Sequence, residues 1–463
     1  MKFTLPAFCL LSFFAISQAA EDIASVTRPN ILFIFADDWG WGDLSCHDHP
    51  YVKTPNIDRL AKEGTDFHRF TVASGVCSPS RAAVMTGHFP ARNHIDGHFA
   101  HPDDNAGRNM PDWLPTQVTT IPKILKTAGY ATAHFGKWHL ANNMIPDSPP
   151  PLEYGYDEYG AFNCSGEQMP FYEDSQRAIA FMEKSKQGNQ PFYINLWIHE
   201  PHTPHHVIPE YQWRFRELGE RDNIYAAILS HADDRIGEVL DALDEMGLAG
   251  NTLVIFSSDN GPAPKTDKLS AKYDSATGVG FDTGASMGVT GGRKGAKHTL
   301  YEGGIGVPFL ARWPGKIAPG KVDGTTMISA VDLLPTFSEI AGAALPGGYV
   351  PDGISQVKAL EGEIVEGRSK PLFWKLNDPF PETKPSKAPK PSYVIVENRW
   401  KLLSSADAAT IELYDISADP YEKNDLKDEN PEVAKELLAK IDEWKATLPT
   451  APDANSISSR RTK

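Results

Sequence analysis

Residues 74–87, SGVCSPSRAAVMTG, put a cysteine at the mouth of a helix. Ser78 suits an N-cap and Pro79 a first turn, so the helix is expected to start there, with Cys77 just outside its positive end. Arg81 follows four residues later, close enough to turn back toward position 77. A helix N-terminus beside an arginine is an anion-binding setting. A bare thiol in it is expected to have a lowered pKa and to be reactive.

Other reactive side chains follow apolar runs. ILFIFA is followed by Asp37 and Asp38, and TLVIFSS by Asp259 and Asn260. ATAHF is followed by Lys137 and His139, and PFYINLWI by His199 and His202. In a parallel sheet the carboxyl ends of strands share one edge, and ligands bind in that crevice. Four solvated turns is the bland alternative; their joint pattern favours a site. Asp37, Asp38, Asp259 and Asn260 offer only oxygen, which selects Ca²⁺ or Mg²⁺ over zinc. A divalent ion would also relieve the repulsion among packed carboxylates. The lysines and histidines suit an oxyanion whose charge is spread over several atoms.

The elements that must position these groups can be read from periodicity. Within 463 residues, the stretch 29–345 alternates apolar runs with amphipathic ones, the texture of an α/β domain. TPNIDRLAKEG reads as a short helix, and residues 222–246 as a long amphipathic one stopped by Gly247. Residues 346–450 form a smaller α+β unit: two antiparallel strands in SYVIVENRWKLL and ATIELYDI, then a helix in NPEVAKELLAKIDEWKATL. The Pro- and Lys-rich stretch 379–391 reads as an exposed loop, and 451–463 as a polar tail expected to fray.

Residues 1–19 combine Lys2, an apolar core and small residues at a cleavage site, which reads as a signal peptide for a secreted or periplasmic protein. No later apolar run is long enough to span a membrane. Cys9 leaves with that segment, so Cys46, Cys77 and Cys164 remain, and an odd number leaves at least one thiol unpaired. A Cys46–Cys164 bridge stays open. The net charge of −15 disfavours nucleic acid as a partner.

CSPSR followed by AAVMTG resembles the C-x-P-S-R signature of the formylglycine-dependent (type I) sulfatases. GYATAHFGKWH, residues 129–139, resembles their second signature, with Phe135 larger than the residue usual there. ADDWGWGD, EPHTP, SSDNGP and KHTLYEGGIGVP complete the pattern in family order. YVIVENRWKLL and ELYDISADPYEKNDL resemble the C-terminal subdomain. Within the family the chain looks most like the arylsulfatase A and N-acetylgalactosamine-6-sulfatase type. The resemblance implies an alkaline-phosphatase-like fold, a mixed central sheet sandwiched by helices with a smaller C-terminal α+β subdomain.

It also implies a chemistry. Cys77 would be oxidised to Cα-formylglycine by a generating enzyme, and its hydrate would attack the sulfur of a sulfate ester. Asp37, Asp38, Asp259 and Asn260 would hold Ca²⁺, or Mg²⁺, with residue 77 as a further contact. Arg81 would position the hydrate, Lys137 and Lys297 would hold sulfate oxygens, and His139 would assist elimination. His202 would protonate the leaving alcohol. His199 and His98 are candidate substrate contacts; the segment HIDGHFAHPDD, with His94, His98 and His101, either contacts substrate or, the favoured reading, is a solvated loop; Trp39 and Trp41 flank the metal loop or only pack. Gly306, where many relatives carry arginine, is expected at the pocket rim. The expected substrate is a sulfated sugar or an aryl sulfate. The rival readings are a phosphonate or phosphate ester hydrolase of the same superfamily, and a glycan-binding protein with Cys77 unmodified.

Overall fold

The computed structural model describes residues 28–206, 208–264, 271–274, 278–281, 288–377 and 391–462. The signal-peptide reading of residues 1–19 lies outside the described residues, as does nearly all of the 379–391 loop.

Apolar runs form the main sheet. Its strands are β1 (Asn30–Ala36), β2 (Thr65–Phe67), β3 (Ala131–Lys137), β4 (Glu158–Phe162), β5 (Phe192–Trp197), β6 (Thr252–Ser258), β7 (Phe309–Arg312) and β8 (Lys321–Asp323). Their spatial order is β8-β2-β7-β6-β1-β5-β3-β4. Strands β6, β1, β5, β3 and β4 run parallel, whereas β7 is antiparallel to both β6 and β2, so the sheet is mixed. Central β1 explains its own sequence. Ile31, Phe33 and Phe35 enter one core, and Leu32, Ile34 and Ala36 the other. A strand covered on both faces reads as an apolar run, and the polar Asn30 at its start is satisfied by Thr252 and the Phe192 N–H.

Helices α1 (Pro55–Glu63), α4 (Asp174–Gln187) and α5 (Glu220–Glu245) cover one face. The other face carries α2 (Cys77–Thr86), α3 (Ile121–Thr127) and α6 (Leu333–Ala341). Phe135 points into the first of these cores, edge-on to Phe181 at 6.1 Å, which explains why its size leaves Lys137 and His139 in place.

The C-terminal unit is an antiparallel sheet of β9 (Leu372–Lys375), β10 (Tyr393–Glu397), β11 (Trp400–Ser404) and β12 (Ile411–Asp415), closed by α7 (Pro431–Ala446). Its apolar face belongs to the same core as α2 and α6. Trp374 donates its indole N–H to the Val72 carbonyl at 2.8 Å, and Trp444 stacks on Phe373 with ring centres 4.9 Å apart.

The tail is held rather than frayed. Ser458 N–H and Arg461 Nε donate to Asp112 at 2.7 Å each, Ser459 N–H to Asp147 and Thr462 N–H to Asp103, both at 2.8 Å. Carboxylates on residues 103–147 gather the tail's backbone donors, which a polarity argument cannot foresee. Cys46, Cys77 and Cys164 are free, so the Cys46–Cys164 bridge is not formed. No helix of the described residues is long and apolar enough to cross a membrane.

Gly136 marks where the sheet is tightest. It has φ 106°, and a Cβ there would meet the Trp197 carbonyl oxygen at 2.0 Å. Gly136→Ala is expected to lower the unfolding free energy by about 2–4 kcal/mol in urea titrations, through strain plus a backbone clash. Gly129→Ala, at φ 85° with nothing within 4 Å, should cost only about 1 kcal/mol.

Candidate active site

The four strand ends do share one edge, since β6, β1, β5 and β3 are neighbours in that order. The turns after them are laced together. Asp38 N–H donates to Asp259 Oδ1 at 3.2 Å, Asp259 N–H to the Ala36 carbonyl at 3.1 Å, and Asp37 N–H to the Glu200 carbonyl at 3.3 Å. Asp38 and His139 adopt left-handed backbone, with φ 67° and 47°. Such conformations persist where surroundings impose them.

Helix α2 begins one residue earlier than its sequence suggests. Val76 is the N-cap, and Cys77 lies in the first turn, not outside it. The Ser78 hydroxyl is used elsewhere, accepting from the Phe99 N–H at 3.0 Å. The whole helix is buried, Arg81 included. Arg81 donates from Nε and Nη2 to Asp259 at 3.0 and 2.7 Å and from Nη1 to the Lys137 carbonyl at 3.1 Å, with Asp37 3.6 Å away. Its guanidinium lies 5.1 Å from the centre of the Trp197 ring.

Cys77 Sγ is 3.5 Å from both Asp37 Oδ1 and Lys137 Nζ. Lys137 also pairs with Asp37, and Lys297 Nζ lies 2.6 Å from Asp38 Oδ1. Burial, and after it Asp259, pushes the Cys77 thiol well above its usual range, opposite to the sequence expectation. Arg81 is spent on Asp259, so little of its field is left to favour a thiolate. Burial and Asp37 raise the Asp259 carboxyl, partly offset by Arg81. Against burial, Asp38 holds Lys297 above the usual ammonium range.

Ligand atoms of Asp37, Asp38, Cys77 and His202 all lie within 4.8 Å of one another. Asn260 donates Nδ2 to Asp38 at 2.7 Å, while its buried Oδ1 has no protein partner. An orphaned amide oxygen beside three carboxylates fits a hard divalent cation. Asp259 joins the group through Asp38 and Arg81.

The histidines divide. His139 is buried and donates Nε2–H to the Phe99 carbonyl at 3.0 Å, leaving Nδ1 without a hydrogen. Burial, then Lys137, holds it well below the usual imidazole range. His202 lies with Nε2 3.9 Å from Asp38 and donates Nδ1–H to its neighbour Thr203's carbonyl at 2.6 Å. Burial and then Lys137 and Lys297 lower it as well. His199 is 5.5 Å from the His202 ring and stacks on Phe171 at 4.5 Å. His98 is half-buried, 6.5 Å from the His139 ring. His94 is not a solvated loop residue: it is buried and bonds the Pro449 carbonyl at 2.7 Å. Trp39 is packed in the core, and Trp41 stacks on His47.

Gly306 is buried rather than on a rim, because the Arg293 side chain fills its place: a Cβ there would meet Arg293 Nη1 at 2.3 Å. Sequence reasoning missed Phe99, whose N–H and carbonyl tie α2 to His139, and Phe171, the platform under His199. It also missed Ser258, which accepts from the Trp39 N–H at 2.8 Å. Backbone roles such as that of Phe99 leave no residue-type signal; the loop aromatic Phe171 did.

Comparison with known proteins matches residues 29–343 to the sulfatase model and residues 295–447 to that of the N-sulphoglucosamine sulphohydrolase C-terminal region. The chain belongs to the sulfatase family. This sulfatase is 26% identical to the N-acetylgalactosamine-6-O-sulfatase of Bacteroides thetaiotaomicron, over 94% of its own length and 96% of the relative's. It is 32% identical to the N-acetylgalactosamine-6-sulfatase of Rattus norvegicus, covering 75% of this chain and 68% of that one. Its fold resembles the crystal structure of Ps i-CgsB in complex with k-i-k-neocarrahexaose, with TM-score 0.73 and 26% identity, covering 92% and 96% of the two chains. It is a sulfuric ester hydrolase with the alkaline-phosphatase-like architecture, and its family implies formylglycine and a divalent metal.

Removing Arg81 leaves Asp259 buried without its main partner. Arg81→Ala is expected to cost about 3–5 kcal/mol. Thermal unfolding should show this deficit shrinking when millimolar Ca²⁺ or Mg²⁺ is added, because a divalent ion neutralises the same carboxylates.

Proposed function

We propose that this sulfatase removes sulfate from a sulfated sugar in an exported setting, using residue 77 as formylglycine and a Ca²⁺ ion, with Mg²⁺ as the alternative. The observation that carries the reading is the convergence of Cys77, Arg81, Lys137 and Lys297 on three carboxylates and an orphaned amide oxygen. The sugar follows from relatives named for N-acetylgalactosamine 6-sulfate and from a neighbour holding a neocarrahexaose. A maturing enzyme would act on Cys77.

Asp37, Asp38, Asp259 and Asn260 would hold the ion, which neutralises sulfate charge and acidifies the nucleophile. As formylglycine hydrate, residue 77 would supply one hydroxyl as the nucleophile and a second from which sulfate is eliminated. The remaining work falls to side chains. Lys137 and Lys297 pair with Asp37 and Asp38; a divalent ion on those carboxylates leaves both ammonium groups for sulfate oxygens. Arg81, braced by Asp259, keeps residue 77 oriented. Asp259, which also braces Arg81, would accept the nucleophile's proton. His139 has its Nε2–H committed to Phe99, so Nδ1 is the atom that takes a proton during sulfate release. His202 protonates the leaving alcohol; burial and then the two lysines lower its basicity, and an anionic ester offsets the lysines' share. His199 on Phe171, and His98, contact the sugar.

The reading is tested by pairing mass spectrometry of the peptide containing residue 77 with sulfate release from sulfated glycosaminoglycans, mucin glycans and algal galactans. Formylglycine and release from at least one glycan are expected. An intact thiol in active enzyme overturns the nucleophile, and activity confined to small aryl sulfates overturns the sugar. A matched phosphonate ester should be the poorer substrate.

His202→Ala separates acid catalysis from binding. It should reduce kcat/KM on a sulfated sugar by about 10²-fold or more, and on nitrophenyl sulfate, whose phenolate needs no proton, by about tenfold or less. Equal losses would count against the acid role.

A further inference from the structure

A second group of ligand-type side chains gathers around β2. Cys46 and His47 occupy a short turn, Asp66 is in β2, and His68 follows it. Cys46, His47 and Asp66 each offer a ligand atom within 4.8 Å of the others. His47 Nε2 is 2.8 Å and His68 Nε2 3.2 Å from the same Asp66 oxygen, Oδ2. Asp66 is only 5% exposed, and its other oxygen, Oδ1, is buried with no hydrogen-bond partner.

The hydrogen bonding of His47 sharpens this. Its Nδ1–H donates to the Trp41 carbonyl at 2.7 Å, the arrangement that fixes a metal-binding imidazole with a bare Nε2. That bare nitrogen then faces a carboxylate oxygen, acceptor against acceptor. Either a cation lies between them or the ring carries a second proton. Trp41 stacks on His47 at 3.9 Å and carries Arg293 4.6 Å from its own ring centre, which braces the cluster against the segment that bears Lys297.

We infer that Cys46, His47 and Asp66 form a site for a tetrahedral divalent d-block cation, zinc by its donor set, with His68 positioning Asp66 through its contact with Oδ2. One thiolate, one imidazole and one carboxylate, with water in the fourth position, match zinc, whereas the oxygen set at Asp37 and Asp38 suits a hard ion. The Cys46 thiol gives its proton to solvent as the sulfur–metal bond forms. Cys46 is exposed, so the ion enters from outside. The site joins the connection after the Asp37–Asp38 loop to β2, and it is independent of the sulfatase reading.

The test uses the full chain stripped by chelator and titrated with Co²⁺, then Zn²⁺. With excess Ca²⁺ present to fill the Asp37–Asp38 site, the expected result is one cobalt per chain with a sulfur-to-metal charge-transfer band, displaced by stoichiometric zinc and absent from Cys46→Ser. His68→Ala should weaken zinc by at least about tenfold. In the unmutated protein, zinc should slow alkylation of Cys46 by iodoacetamide by at least about tenfold, a readout that needs no variant to fold. No thiolate band, a band that survives Cys46→Ser, or zinc-insensitive alkylation overturns the proposal and leaves the cluster a charged histidine–aspartate pair.

Discussion

Three carboxylates and three cations buried at one sheet edge are the constraint on which the rest of this sulfatase depends. Asp37, Asp38 and Asp259 are almost wholly shielded from water, and so are Arg81, Lys137 and Lys297. Removing such charges from water costs several kcal/mol per ion unless each finds a partner. The pairing here is nearly one to one: Arg81 with Asp259, Lys137 with Asp37, Lys297 with Asp38. Every element that bears one of these groups must therefore be held in register. That requirement explains the close backbone packing after the strands and the absence of any exposed residue in α2.

The support reaches far from the edge. Lys297 is carried by a segment that ends at Glu302, and Glu302 is held by Lys401 of β11 at 2.7 Å. Lys401 is fully buried and also pairs with Glu422 at 2.9 Å. Against burial, Lys401 and Arg293 keep Glu302 below the usual carboxylate range. The C-terminal sheet thus braces the segment that brings Lys297 to Asp38. On the other flank, Phe99 links α2 to His139 through its own backbone, and the docked tail fastens nearby residues 103–112.

Much of this was legible in the sequence because the chemistry lies where patterns change. A buried strand ends when its apolar run ends, so Asp37 and Asp259 announce themselves by breaking the pattern. The apolar alternation between two cores, the long helix and the C-terminal antiparallel sheet follow from periodicity. What escaped depends on contacts between distant segments. The Cys77 thiol looked acidic from its helix and Arg81, but the arginine's charge is consumed by an aspartate from another strand. Ser78 looked like a cap but serves Phe99. The tail looked loose because carboxylates far away in the chain hold its backbone.

The burial of residue 77 also sets an order of events. It is 2% exposed, beneath groups that come much later in the chain, Asp259 and Lys297. Under the proposed maturation, an enzyme acting on residue 77 would have to reach it before those segments close over it. The face on which α2 packs shares one core with the C-terminal sheet, so that closure waits for nearly the whole polypeptide. On that reading the long separation in sequence would work as a delay, keeping residue 77 within reach while the later segments are still to arrive.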